Sequence, residues 1–205
     1  SDKNVLFSSE LLFNRIFKRD DLSFIPEIAR KAGFGRVKML LFVRDPIPLA
    51  VSIWQQRVKG WRGETRSLDA YLETEFDWPE RTMRLLKTLD ETKGIELTMH
   101  NHTSVVANQG LLRLSESWLD LKAGCLAEPK QKSPNRSMTR SEAELQRRLN
   151  VHNGASGALF AFPVTTQVTD IPRDPPVPSA QAVRHCLDRQ AQFLTDLLVR
   201  LPDGE

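Results

Sequence analysis

The segment VKMLLFVRDPIPLAVSIWQQR, residues 37–57, holds the residue types best suited to chemistry on an anion. Arg44 stands where an apolar strand ends, and a helix opens at once at Asp45-Pro46. Asp45 suits the cap and Pro46 the first helical position. A guanidinium beside a helix N-terminus, with its unsatisfied N–H groups and positive dipole end, concentrates positive potential. The planar guanidinium fork matches two phosphate oxygens. Ser52 lies seven residues past Asp45, two turns along the same helix face. An arginine folded back over that face can share one phosphate with the serine hydroxyl. The spacing equally allows an arginine that only caps the sheet edge and a serine that bonds its own helix carbonyl.

His100 and His102 (MHNHT) follow a second apolar strand and have the ordinary pKa range for proton transfer. Two plain loop histidines fit the same pattern. As a metal pair they lack a third or fourth ligand nearby in sequence, so no metal is expected. Cys125 and Cys186 are far apart with no CxxC spacing, which points to free thiols in a reducing cytoplasm.

These residues need elements to hold them. Asn4–Ser9 reads as a buried strand and Glu10–Lys18 as a helix. A second helix is predicted in Asp21–Ala32. Val37–Val43 is nearly continuous in apolar residues, as an inner strand of a parallel sheet covered on both faces would be. Leu68–Glu75 and Pro79–Thr92 read as helices, Ile95–His100 as a strand and Gln109–Leu121 as a helix, followed by a polar loop over 122–138. Ser141–Val151 is a helix with Thr139 and Glu142 at capping-box spacing. A proline-rich connector, residues 171–178, leads to one long amphipathic helix, Ala180–Leu201, which packs on the domain or forms a homodimer. The order predicts an α/β fold of three layers with a parallel sheet and a mostly helical C-terminal half. With 205 residues, one domain over 1–205 is expected. Ligands of such sheets sit beyond the carboxyl ends of the strands, just after Ser9, Val43 and His100.

Composition narrows the partners. The chain has 29 Lys and Arg against 26 Asp and Glu, interleaved along its length, so a nucleic-acid-binding surface is not expected. No stretch approaches the roughly 20 apolar residues of a membrane span.

The run LLFVRDPIPLAVSIWQQ resembles the 3′-phosphate-binding segment of sulfotransferases: an apolar strand, Arg, a residue, Pro, then Ser eight residues after the Arg. VLFSSELLF at the start and NRSMTRSEAELQRRLN at 135–150 are similar to segments of bacterial sulfotransferases, in the same order. The resemblance implies a P-loop-like three-layer α/β fold and the co-substrate 3′-phosphoadenosine 5′-phosphosulfate (PAPS), whose product is PAP. It implies Arg44 and Ser52 on the 3′-phosphate and a small-molecule or carbohydrate acceptor.

Sulfuryl transfer needs a base for the acceptor's proton. Glu10, directly after the first strand, is the first candidate, with His100 and His102 as rivals; a first-turn helix glutamate is the plain alternative for Glu10. Ser8 and Ser9 suit hydrogen bonds to phosphate or acceptor oxygens, or simple capping. Arg57, Lys59 and Arg62 would extend an anionic pocket or form a solvated helix end. Trp54 and Trp61 would stack on adenine or anchor the core. The family's Lys-x-Gly-Thr-Thr loop, which wraps the 5′-phosphosulfate, has no counterpart in these residues: Gly33-Phe34-Gly35 precedes a strand and Gly154–Gly157 lacks a lysine. The expectation is a loop upstream of Ser1, or a non-catalytic domain that keeps a phosphate site or acts through protein contacts.

Overall fold

The computed structural model describes residues 5–7, 16, 21–60, 63–108, 110–127, 137–153 and 174–201. Their elements are α1 (Phe24–Lys31), β1 (Val37–Val43), α2 (Pro46–Lys59), α3 (Leu68–Thr74), α4 (Trp78–Glu91), β2 (Ile95–Asn101), α5 (His102–Asn108), α6 (Leu111–Trp118), α7 (Arg140–Asn153), α8 (Ala180–Arg189) and α9 (Ala191–Arg200). The result is a mixed helix–strand chain in which helix predominates. It divides into two compact units, each assembled from separated stretches of sequence.

The first unit comprises Ser1–Val43, Asp77–Asn108 and Gln190–Glu205. Its centre is a parallel pair, β1 with β2, in register from Val37 opposite Ile95 to Val43 opposite Asn101. Alternate residues of each strand face the helices, as the two-residue period requires. Met39, Ile95 and Leu97 pack on Ile16, Leu22, Leu85 and Leu89. Leu41 and Val43 pack on Leu86, Met99 and Leu197. The apolar run of β1 predicts burial on both faces, but every residue of the strand except exposed Lys38 is half-buried. Arg200 pairs with Asp90 at 2.7 Å and ties α9 to α4.

The β1–β2 pair is the whole sheet among the described residues, against the three-layer parallel sheet expected. Residues 5–7 of the expected first strand lie in no ladder and are exposed, so their apolar side chains gain nothing there from burial. His102, read as a loop histidine, opens α5 instead, because the Asn101 carboxamide oxygen accepts the N–H groups of Thr103 (2.8 Å) and Ser104 (3.2 Å) and so starts a helix.

Gly94 links α4 to β2 at φ +91, and a Cβ there would stand 3.1 Å from Pro26 Cβ. Gly94→Ala should therefore lower stability by about 1–2 kcal/mol, from left-handed backbone alone. Thermal melts would show it; an unchanged melting temperature would mean the turn relaxes freely.

The second unit comprises Arg44–Phe76 and Gln109–Arg189 and is helical among its described residues. On α2, the buried stripe Ala50, Trp54 and Val58 repeats every four residues. This helix packs on α7 and α3, while α3 packs on α8. The predicted capping box is present: Thr139 N–H donates to Glu142 Oε2 (2.7 Å) and Glu142 N–H to Thr139 Oγ1 (3.3 Å). Glu116 of α6 accepts the N–H groups of Gly124 (2.9 Å) and Leu126 (2.7 Å), which orders the start of the 122–138 loop. The expected single helix over 180–201 is two, broken at Gln190 with φ −113 and ψ 9. The physical reason is that each half packs on a different helix: α8 on α3, α9 on α4. Arg189 at the break donates to the carbonyls of Leu72 (2.9 Å) and Phe76 (2.8 Å), closing the end of α3.

Candidate functional site

The site begins at the start of α2. Asp45 holds the N-cap position with extended backbone (φ −53, ψ 131), and its carbonyl accepts the Leu49 N–H at 3.1 Å. Its side chain makes no capping bond. Pro46 and Pro48 carry no N–H, so Ile47 alone among the first three helical residues has a donor to offer. The fan of main-chain donors expected at this helix end is thus mostly missing. Recognition of an anion here falls to side chains and the helix dipole.

The two side chains the sequence offers stand just before α2 and within it. Arg44 is exposed and Ser52 half-buried. Among the described residues, neither the Arg44 guanidinium nor the Ser52 hydroxyl enters a hydrogen bond or ion pair. Other helical hydroxyls behave differently: Thr82, Thr88, Ser115 and Thr195 each donate to the carbonyl four residues back, at 2.7–3.1 Å. Ser52 does not satisfy itself in that way among the described residues.

The remaining candidates separate. Arg57 is committed: it lies 3.7 Å from Glu64 and 3.6 Å from Glu75, with its guanidinium 5.0 Å above the Tyr71 ring. It extends no anion pocket. Trp54 is buried and donates to the Arg66 carbonyl at 3.0 Å, so it anchors the core and offers no face to adenine. His100 and His102 come together in the first unit at the carboxyl end of the sheet. His100 ends up opposite Phe42 in the register, and the His102 ring meets the Phe42 ring edge-on at 6.2 Å. Glu10, Ser8, Ser9, Trp61 and Arg62 lie outside the described residues. Among the described residues no group of three His, Cys, Asp or Glu side chains is placed to hold a metal ion, and no helix is long and apolar enough to cross a membrane.

Sequence reasoning missed what holds α2. Glu64 is 8% exposed and receives Arg66 Nε and Nη2 at 2.8 Å each, plus the N–H groups of Thr65 and Arg66 at 3.1 Å. Arg66 continues to Glu75 at 2.6 Å. Fully buried Asn150 donates Nδ2 to the carbonyls of Val58 and Glu64, 3.0 Å each, and its Oδ1 accepts from Gln146 Nε2 at 3.0 Å. Gln55 of α2 donates to the Met138 carbonyl at 2.7 Å. The available signal was periodicity: 142, 146 and 150 fall on one face of α7, and that buried face is polar.

The carboxylates of this unit give a pH response. Burial opposes ionisation of Glu64, but hydrogen bonds from Arg66 and the charges of Arg66 and Arg57 outweigh it and hold the carboxyl below its usual value. The Arg66 hydrogen bond lowers Glu75, and the Arg147 hydrogen bond lowers Glu144 from 4.5 to about 2. Depressed folded values mean that the stabilisation is present above the unfolded value of 4.5 and is lost as pH falls through the folded ones. Melting temperature should hold nearly constant from about pH 7 to 5 and fall between about 4.5 and 2. A flat profile down to pH 3 would show that these pairs contribute nothing.

No family model, no curated protein and no solved structure matches the chain.

Proposed function

We propose that this chain is a PAPS-dependent sulfotransferase domain of P-loop-like three-layer type, with Arg44 and Ser52 on the 3′-phosphate of the donor. The observation that carries the reading is the pairing, on one strand-to-helix unit, of an exposed arginine and a helical serine that no described residue engages. PAPS supplies an activated sulfuryl group whose S–O bond to the 5′-phosphate is broken in the reaction. Arg44 would grip the 3′-phosphate with two N–H donors and Ser52 would donate its hydroxyl. Glu10 would take the proton of the acceptor hydroxyl or amine as that atom bonds to sulfur, with His100 or His102 as the alternative base. The acceptor is a small molecule or a carbohydrate.

A second reading, a domain that binds PAP or phosphate without transferring sulfate, draws on the same exposed arginine and helical serine. Both readings predict the same first measurement. Calorimetry should find PAP bound, and adenosine 5′-monophosphate, which lacks the 3′-phosphate, bound about tenfold or more weakly. No PAP binding, or equal binding of the two nucleotides, would overturn the 3′-phosphate site. Transfer of sulfate from PAPS then separates the two readings.

A further inference from the structure

We infer that Asn150 is a positioning residue for the helix that carries Ser52, an inference that rests on the donor-binding reading above. The C-terminal carbonyls of a helix have no partner within it. Val58 lies in the last turn of α2, and Asn150 of α7 covers its carbonyl from outside the helix. The same amide nitrogen takes the Glu64 carbonyl, so one side chain fixes both the end of α2 and the chain leaving it. Gln146 holds the carboxamide in the orientation that aims Nδ2 at those two carbonyls. A turn earlier, Gln55 ties α2 to Met138, next to the capping box that opens α7. Helix α2 therefore meets α7 and the chain that enters it through directional hydrogen bonds at two levels.

This differs from apolar contact in its consequence. Apolar stripes tolerate small sliding and rotation, whereas a buried amide with two fixed acceptors admits one setting. The side chain that would meet the phosphate, Ser52, sits one turn before Gln55 on the same helix. Its direction follows the rotation of α2 about its axis. Hydrogen bonds weaken steeply with distance and angle, so a device far from the ligand can govern affinity.

The test uses the intact chain, with hydrogen exchange of the α2 amides from Ala50 to Trp54 and calorimetric binding of PAP as two readouts. The variants are Asn150→Ala and the milder Gln146→Leu, which removes the orienting bond and leaves the Asn150 carboxamide in place. Leu72→Val, in the core of the same unit, serves as a control for general loss of stability. Expected for Asn150→Ala are exchange at Ala50–Trp54 raised about tenfold over the control and PAP binding weakened about tenfold or more, with Gln146→Leu smaller in the same direction. Exchange at α2 no faster than in the control overturns the positioning role, whether or not PAP binds. Faster exchange with unaltered PAP affinity overturns its link to the donor. Wild-type protein that fails to bind PAP rejects the donor reading separately, and the exchange arm still decides whether Asn150 sets α2.

Discussion

Replacing Arg44 with alanine should weaken PAP binding by about 10- to 100-fold while leaving stability within about 0.5 kcal/mol of wild type. The two halves of this expectation have one cause. The guanidinium is exposed and enters no hydrogen bond or ion pair among the described residues, so its removal costs the fold little. Two charge-assisted hydrogen bonds to a phosphate are worth about 1.5–3 kcal/mol each, and an exposed site gives less than their sum. Arg44→Lys keeps the charge but loses the fork and should fall between wild type and alanine. Because the site is exposed, affinity should also decline with added salt over the range where the Debye length shrinks below about 10 Å. The scarcity of main-chain donors sharpens the test, since Pro46 and Pro48 leave the helix end little with which to compensate. An alanine variant that binds PAP as wild type would remove Arg44 from the site.

Glu64→Gln should destabilise the protein by about 2–3 kcal/mol, seen as a lower midpoint in urea. Breaking a buried ion pair from one side leaves the other charge without its partner, at a typical cost of about 3–5 kcal/mol. Here Arg66 is 37% exposed and keeps Glu75, so water and the second carboxylate recover part of that cost. The comparison that isolates burial is Glu80–Arg84, a pair of similar length at 2.9 Å whose side chains are 43% and 57% exposed. Glu80→Gln should cost no more than about 0.5 kcal/mol, because solvent screens that pair. Equal losses from the two substitutions would mean that the enclosure of Glu64 does not strengthen its bonds. The loss at Glu64 should also reach Trp54, whose indole N–H is held by the Arg66 carbonyl.

What the sequence by itself determined lies within a few residues of chain. The apolar run Val37–Val43 is a strand over the residues read for it, and Asp45-Pro46 marks where α2 starts. Thr139 and Glu142 form their capping box because both partners sit in one turn, and Gly94 turns the chain from α4 into β2 through its own backbone freedom. The step from β1 to α2, with Arg44 just before that helix and Ser52 within it, was legible for the same reason.

Tertiary structure alone decided which polar side chains are spent on the fold. Arg57 and Trp54 read as candidates for a ligand, yet Glu64, Glu75 and the Arg66 carbonyl claim them. Asn150 reads as the polar end of a helix, yet it reaches Val58 across 92 residues. The helix over 180–201 has an unbroken apolar stripe, yet it breaks at Gln190 because its halves bury against different helices. Local pattern sets which backbone conformation is favoured. The cost of burying a polar group without a partner is settled only once distant segments have met, and that cost fixed the partners of Asn150 and Gln55.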